Sequence, residues 1–153
     1  MLLISFASVA GSAQDLKIVS FKELQRLVEP SGDTVKVVNF WATWCKPCVE
    51  ELPFFVEAQR SHKTTNIQFI FVSLDFMSQT PKVKEMIQKL SMNGTLVQLN
   101  EKGGNWIDEL DKNWSGAIPY TILFLPNGEK REHYDVFQSL DDLQSFINKN
   151  LPD

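Results

Sequence analysis

Cysteine occurs only twice in these 153 residues, at Cys45 and Cys48, and histidine only twice, at His62 and His133. A disulfide-stapled framework is therefore excluded. At most one internal bridge can form, and a bridge across two intervening residues closes a loop too small to stabilise a fold much. A zinc centre on the cysteine pair would need two more ligands, and the two histidines lie far apart without metal-ligand spacing. Charge of one sign never accumulates into a run, and the formal net charge is -4. With no basic stripe to neutralise phosphates, a nucleic-acid partner is excluded. No apolar run approaches the roughly 20 residues a membrane-spanning helix requires, so the mature chain has no stable span. Internal repeats and low-complexity segments are absent as well.

What remains is the composition of an ordinary globular chain, with 43% hydrophobic and 22% charged residues. Its length suits one domain with one core. The first residues differ in kind. Leu2 to Ala10 is apolar apart from Ser5 and Ser8, and the small residues Gly11-Ser12-Ala13 follow before Gln14-Asp15. That is the apolar region and cleavage site of a secretory signal. The expected organisation is a signal peptide over 1–13 and a folded domain over 14–153, acting in the periplasm or otherwise outside the cytoplasm. A short buried N-terminal strand or helix is the alternative.

Periodicity predicts the elements that follow. Lys17 to Ser20 reads as a short strand, and Phe21 to Val28 as a helix with Phe21, Leu24, Leu27 and Val28 on one face. Val35 to Trp41 and Ile67 to Leu74 are rich in β-branched and aromatic residues, as buried central strands are. A helix runs from the cysteines to about Ser61, with Pro53 expected to kink it. Pro81 opens another helix to about Met92, and Leu96 to Leu99 is a short strand. Trp106, Ile107, Leu110 and Trp114 recur at helical spacing over 105–114, closed by Gly116. Ile118 to Leu125 and Lys130 to Phe137 form a hairpin around Pro126-Asn127-Gly128-Glu129. Ser139 caps a terminal helix to Leu151. The βαβ units imply parallel pairing and the hairpin antiparallel pairing, hence an α/β fold with a central mixed β-sheet and helices on both faces.

The chemistry concentrates in Trp44-Cys45-Lys46-Pro47-Cys48. Placed between a strand and a helix, Cys45 sits at a helix N-terminus, where free N–H groups and the helix dipole stabilise an anion. A thiolate is the nucleophile in disulfide exchange, so its pKa is lowered where that matters. Cys48, one turn later, is placed to attack a mixed disulfide. Lys46 adds positive charge, and Pro47 pre-sets the first helical turn.

The block Asn39-Phe40-Trp41-Ala42-Thr43-Trp44-Cys45-Lys46-Pro47-Cys48, with Pro53 beyond it and Ile118-Pro119 later, resembles the thioredoxin superfamily. More narrowly it is similar to the TlpA/ResA-like branch of exported thiol–disulfide oxidoreductases. The resemblance covers most of the chain after residue 13. It implies the thioredoxin fold with an insertion, here between Phe76 and Ala117, before the cis-proline strand. Trp106 and Trp114 are expected to be core residues of that inserted layer. On its own Pro119 reads as a proline starting a strand; the resemblance makes it the family's cis-proline facing the cysteines, with the Ile118 backbone pairing with substrate.

Glu51 shares a helix face with Cys48. Alone it reads as a solvated helix-former like Glu50, whereas the resemblance implies a group that moves protons for the cysteines. Asn39 departs from the aspartate of many cytosolic thioredoxins, which leaves Glu51 as the available acid–base group. Trp41 is expected in the core and Trp44 as an apolar rim for substrate. Asp75 ends a strand at a loop edge and reads as a helix cap or turn residue.

The function expected is reduction of protein disulfides by the Cys45–Cys48 dithiol, without a bound cofactor, by a monomer recharged by an upstream thiol–disulfide electron donor. Its rivals are a disulfide-donating oxidant of the same fold and a noncatalytic peptide-binding module.

Overall fold

The computed structural model describes residues 15–62 and 65–152. The expected signal peptide, residues 1–13, lies outside them. The elements are β1 (Lys17–Val19), α1 (Phe21–Val28), β2 (Val35–Trp41), α2 (Lys46–Ser61), β3 (Ile67–Ser73), α3 (Thr80–Lys89), β4 (Thr95–Leu99), α4 (Asn105–Leu110), β5 (Tyr120–Phe124), β6 (Lys130–His133) and α5 (Leu140–Lys149). A 3-10 turn over Met77–Gln79 leads into α3.

The strands form one six-stranded sheet in the order β1-β4-β3-β2-β5-β6. β1 to β2 pair in parallel through β4 and β3, while β5 and β6 are antiparallel to their neighbours. β2 therefore lies between a parallel and an antiparallel neighbour, and the segment at its C-terminal end carries the cysteines.

Alternation along β2 assigns its side chains to two cores. Val35, Val37 and Trp41 join Phe69, Phe71 and Leu123 on the face covered by α2, α3 and α5. Val38 and Phe40 join Ile70, Val72 and Ile122 on the face covered by α1 and α4. Helices thus occupy both faces. Phe55 of α2 is completely buried between Phe71 and Phe137, and truncating such a ring to alanine costs about 3–5 kcal/mol.

Between β3 and β5 the chain forms α3, β4 and α4, and β4 pairs in parallel with both β1 and β3. Trp114 packs against Phe40 and stacks at 4.4 Å on Tyr120, with Trp106 partly buried beside it. Both tryptophans belong to the core of this layer.

Several expected element ends shift: α3 stops at Lys89 rather than about Met92 and α5 at Lys149 rather than Leu151, and three further shifts have a visible cause. The helix expected over 105–114 stops at Leu110, because Asp111 turns extended and its carboxylate accepts from the Asn113 N–H and from the Tyr120 and Tyr134 hydroxyls. The strand expected from Ile118 starts at Tyr120, since Pro119 has no N–H to donate to the ladder. The returning strand expected to reach Phe137 ends at His133, and the Phe137 N–H turns instead to the Glu51 side chain. α2 continues as one helix through Pro53, which lies on its exposed side.

Candidate active site

The turn between β2 and α2 is tied to the end of β3. Asp75, buried at 1% exposure, accepts from the Thr43 N–H at 2.9 Å, the Thr43 hydroxyl at 2.5 Å and the Ser73 hydroxyl at 2.8 Å. The Leu74 N–H donates to the Trp41 carbonyl at 2.8 Å. Asp75 is a turn residue, as one of its two readings expects. Its clamp across two strands was not visible in the sequence.

Cys45 is the N-cap of α2 and is bonded to Cys48. The Cys48 N–H donates to the Cys45 sulfur at 3.4 Å. This is the geometry by which a helix N-terminus stabilises a sulfur anion. Cys45 retains 5% exposure and Cys48 none, so Cys45 is the one of the two that touches solvent. Lys46 pairs with Glu50 at 3.7 Å on the open surface, where such a pair adds little.

The Ile118–Pro119 peptide bond is cis. The Ile118 carbonyl oxygen lies 3.7 Å from the Cys45 sulfur. A disulfide sulfur carries no hydrogen, so this is a close approach; after reduction the Cys45 thiol is in place to donate along it.

Glu51 is fully buried, which removes the solvated-helix reading, while Glu50 beside it is exposed. Its Oε1 accepts from the Asn39 side-chain amide at 3.0 Å, and its Oε2 from the Phe137 backbone N–H at 2.8 Å. Burial raises its pKa to about 7, opposed by the two hydrogen bonds and assisted by the nearby charge of Asp135. Asn39 lies on the α2 face of β2 because alternation places it with Val37 and Trp41. A polar residue between Val38 and Phe40 in a strand buried along its length was a visible signal; its partner Thr121, its register neighbour on β5, was not foreseen.

Trp41 is buried in the core, as expected, and Trp44 is 65% exposed. Phe76, just after β3, is 79% exposed, the most exposed large apolar side chain among the described residues. The two aromatics line a groove of about 470 Å³ together with Thr43, Met86, Lys82 and Lys89. Phe76 was missed, because nothing in its local sequence distinguishes it from a core phenylalanine. Among the described residues no group of three or more His, Cys, Asp or Glu side chains is arranged to hold a metal. No described helix is long and apolar enough to cross a membrane.

The model of the AhpC/TSA family matches residues 7–149. The thiol-disulfide oxidoreductase ResA of Oceanobacillus iheyensis is 31% identical over 116 residues, which cover 76% of this chain and 57% of that protein. The sporulation thiol-disulfide oxidoreductase A of Bacillus subtilis is 29% identical over 101 residues, covering 65% of this chain and 58% of the relative. The chain thus spans little more than half the length of these two relatives. Among solved structures, a thiol:disulfide interchange protein of the thioredoxin family from Chlorobium tepidum superposes with a TM-score of 0.65 at 22% identity, covering 78% of this chain and 81% of that one. That likeness carries the thioredoxin-like fold.

Proposed function

The chain belongs to the AhpC/TSA family of the thioredoxin superfamily, and we propose that it is a thiol–disulfide oxidoreductase that reduces disulfides in partner proteins. The observation that carries this reading is the Cys45 sulfur at the N-terminus of α2, accepting the Cys48 N–H at 3.4 Å, with buried Glu51 one turn beyond Cys48.

In the reduced protein the Cys45 thiolate attacks a substrate disulfide, forming a mixed disulfide and expelling one substrate thiolate. The Cys48 thiol gives up its proton, with Glu51 as the acceptor. The Cys48 thiolate then attacks the Cys45 sulfur and releases the second substrate thiolate. Two electrons pass to the substrate, and the Cys45–Cys48 disulfide remains for an upstream dithiol donor to reduce.

The Ile118 backbone beside Cys45 offers a polar edge to an extended substrate segment, as in strand addition. Trp44 and Phe76 offer apolar surface for its side chains. The Leu2–Ala13 stretch favours action outside the cytoplasm. An insulin-reduction assay tests the reading. Wild-type protein supplied with a dithiol donor should accelerate reduction of insulin disulfides, and Cys45→Ser should abolish the acceleration. A wild type no faster than the donor alone would reduce the chain to a binding module.

A further inference from the structure

Asn39 is buried at 1% exposure and uses only half of its amide. Its Nδ2 donates to Glu51 Oε1 at 3.0 Å and to Thr121 Oγ1 at 3.2 Å. Its Oδ1 is buried and has no partner among the described residues. Buried acceptors without partners are uncommon, and one beside a buried acid is a functional signal.

The arrangement suits only one ionisation state of Glu51. A carboxylate is acceptor-only, so Asn39 must present its NH₂ group. The Phe137 N–H occupies Oε2, so an incoming proton belongs on Oε1. With the amide as it stands, that new O–H would face an N–H donor, and both it and Oδ1 would lack partners. Half a rotation about the last side-chain bond resolves the conflict. Oδ1 then accepts from Glu51 Oε1–H and from the Thr121 hydroxyl, whose hydrogen is free to rotate, and only the NH₂ group is left unpaired. Oxygen and nitrogen of an amide are nearly equal in size, so the exchange needs no repacking in this closed core.

We infer that Asn39 inverts its amide when Glu51 takes up a proton, and is thereby the residue that positions Glu51 in both of its ionisation states. Thr121 serves the amide in either orientation, as acceptor or as donor. The other charged group that acts on Glu51 is Asp135, from the segment after β6, while Cys48, three residues before Glu51 on α2, shares its helix face. Neither Asp135 nor either sulfur makes a hydrogen bond to Oε1. Burial, which raises the pKa of Glu51 to about 7, puts the exchange near neutral pH.

The inference rests on Glu51 serving the cysteines, but its first test needs no turnover. In labelled wild-type protein, nuclear Overhauser contacts between the Asn39 NH₂ hydrogens and Thr121 should be present at pH 9 and lost at pH 5, with the midpoint of the Glu51 titration. Glu51→Gln mimics the protonated acid: Oε1 of the glutamine keeps the Phe137 bond and its NH₂ points at Asn39. In that variant the Thr121 contacts should be absent at every pH. A second test follows the Glu51 titration itself against pH, through its carboxyl carbon chemical shift. Asn39→Asp can accept the Glu51 proton but cannot donate to the carboxylate, so it should move the midpoint of that profile upward by at least one unit, a tenfold gain in proton affinity. Thr121 contacts that persist at pH 5 and in Glu51→Gln would overturn the inversion, and an unmoved profile in Asn39→Asp would overturn the positioning role. If the contacts switch as expected while insulin reduction fails, the proposed function falls and the inversion stands.

Discussion

The backbone N–H of Phe137 donates to Oε2 of Glu51 at 2.8 Å, across 86 positions of sequence. This bond takes the Phe137 N–H beyond the end of β6, ties that segment to α2 and holds the carboxyl one helix turn after Cys48. With Asn39 donating to the other oxygen, two hydrogen bonds still offset only part of the desolvation of a fully buried carboxylate, so the charge on Glu51 costs stability that the fold recovers elsewhere.

Glu51→Gln should therefore stabilise the protein at alkaline pH. A carboxyl whose pKa rises from 4.5 to about 7 on folding binds more protons folded than unfolded between those values. Its penalty is absent below 4.5, grows as pH rises and is complete above about 7. The shift corresponds to about 3 kcal/mol as an upper value. Urea denaturation at pH 4 and pH 8.5 should show the variant gaining on wild type only at the higher pH. Equal differences at both pH values would mean that Glu51 is not held in this state. Glu51→Gln should also alter the pH profile of thiol alkylation, and Glu50→Gln should leave it alone.

His133 has the opposite sign. Its ring stacks at 4.0 Å on Phe137 and its Nε2 is buried without a partner among the described residues, so burial holds its pKa below 6.5. The folded protein then takes up fewer protons than the unfolded chain, and stability is lost as pH falls through 6.5 toward the folded value. His133→Phe should flatten this acid-side loss in thermal unfolding between pH 7 and pH 5. An unchanged slope would show that the ring does not titrate against burial.

Asp75→Ala removes the acceptor for three donors at once, two of them from Thr43. Leaving buried donors unsatisfied costs about 1–3 kcal/mol each in isolation. A total loss of about 2–4 kcal/mol is expected after partial relaxation. Hydrogen exchange at the Thr43 amide should accelerate ahead of global unfolding, since the turn before Cys45 is what the side chain holds. A protected Thr43 amide in the variant would contradict this role.

Trp44→Ala and Phe76→Ala should separate large substrates from small ones. Both side chains are exposed and line one groove, so the fold should survive either change. KM for insulin should rise several-fold in each, with the reduction of a small aromatic disulfide almost unchanged. A parallel loss on both substrates would place the aromatics in the chemistry rather than in docking.

How far all this was legible depends on the range of the interactions. β2 and β3 are read from segments rich in β-branched and aromatic residues, as strands buried on both faces are. Glu51 shares a helix face with Cys48 by local spacing, but spacing alone reads as a solvated helix-former, and its acid–base role is implied only by the family resemblance. Asn39 shows itself as a polar residue in Val35–Trp41, but its link to Thr121 depends on the pairing of β2 with β5 and is absent from either segment alone. The ends of α4 and β6 follow from Asp111 meeting Tyr120 and Tyr134, and from Phe137 meeting Glu51. Such contacts override local periodicity. Phe76 is exposed only because the chain turns sharply after Asp75, and no pattern of neighbours marks that.

Cysteine roles give the most direct test of the mechanism. Each single variant, Cys45→Ser and Cys48→Ser, is reduced and mixed with insulin, and covalent products are separated without reductant and mapped by mass spectrometry. With Cys45 as the attacking thiol and Cys48 as the resolving one, Cys48→Ser should accumulate a mixed disulfide through Cys45, and Cys45→Ser should form none. Accumulation by Cys45→Ser through Cys48, with none from Cys48→Ser, would contradict the account.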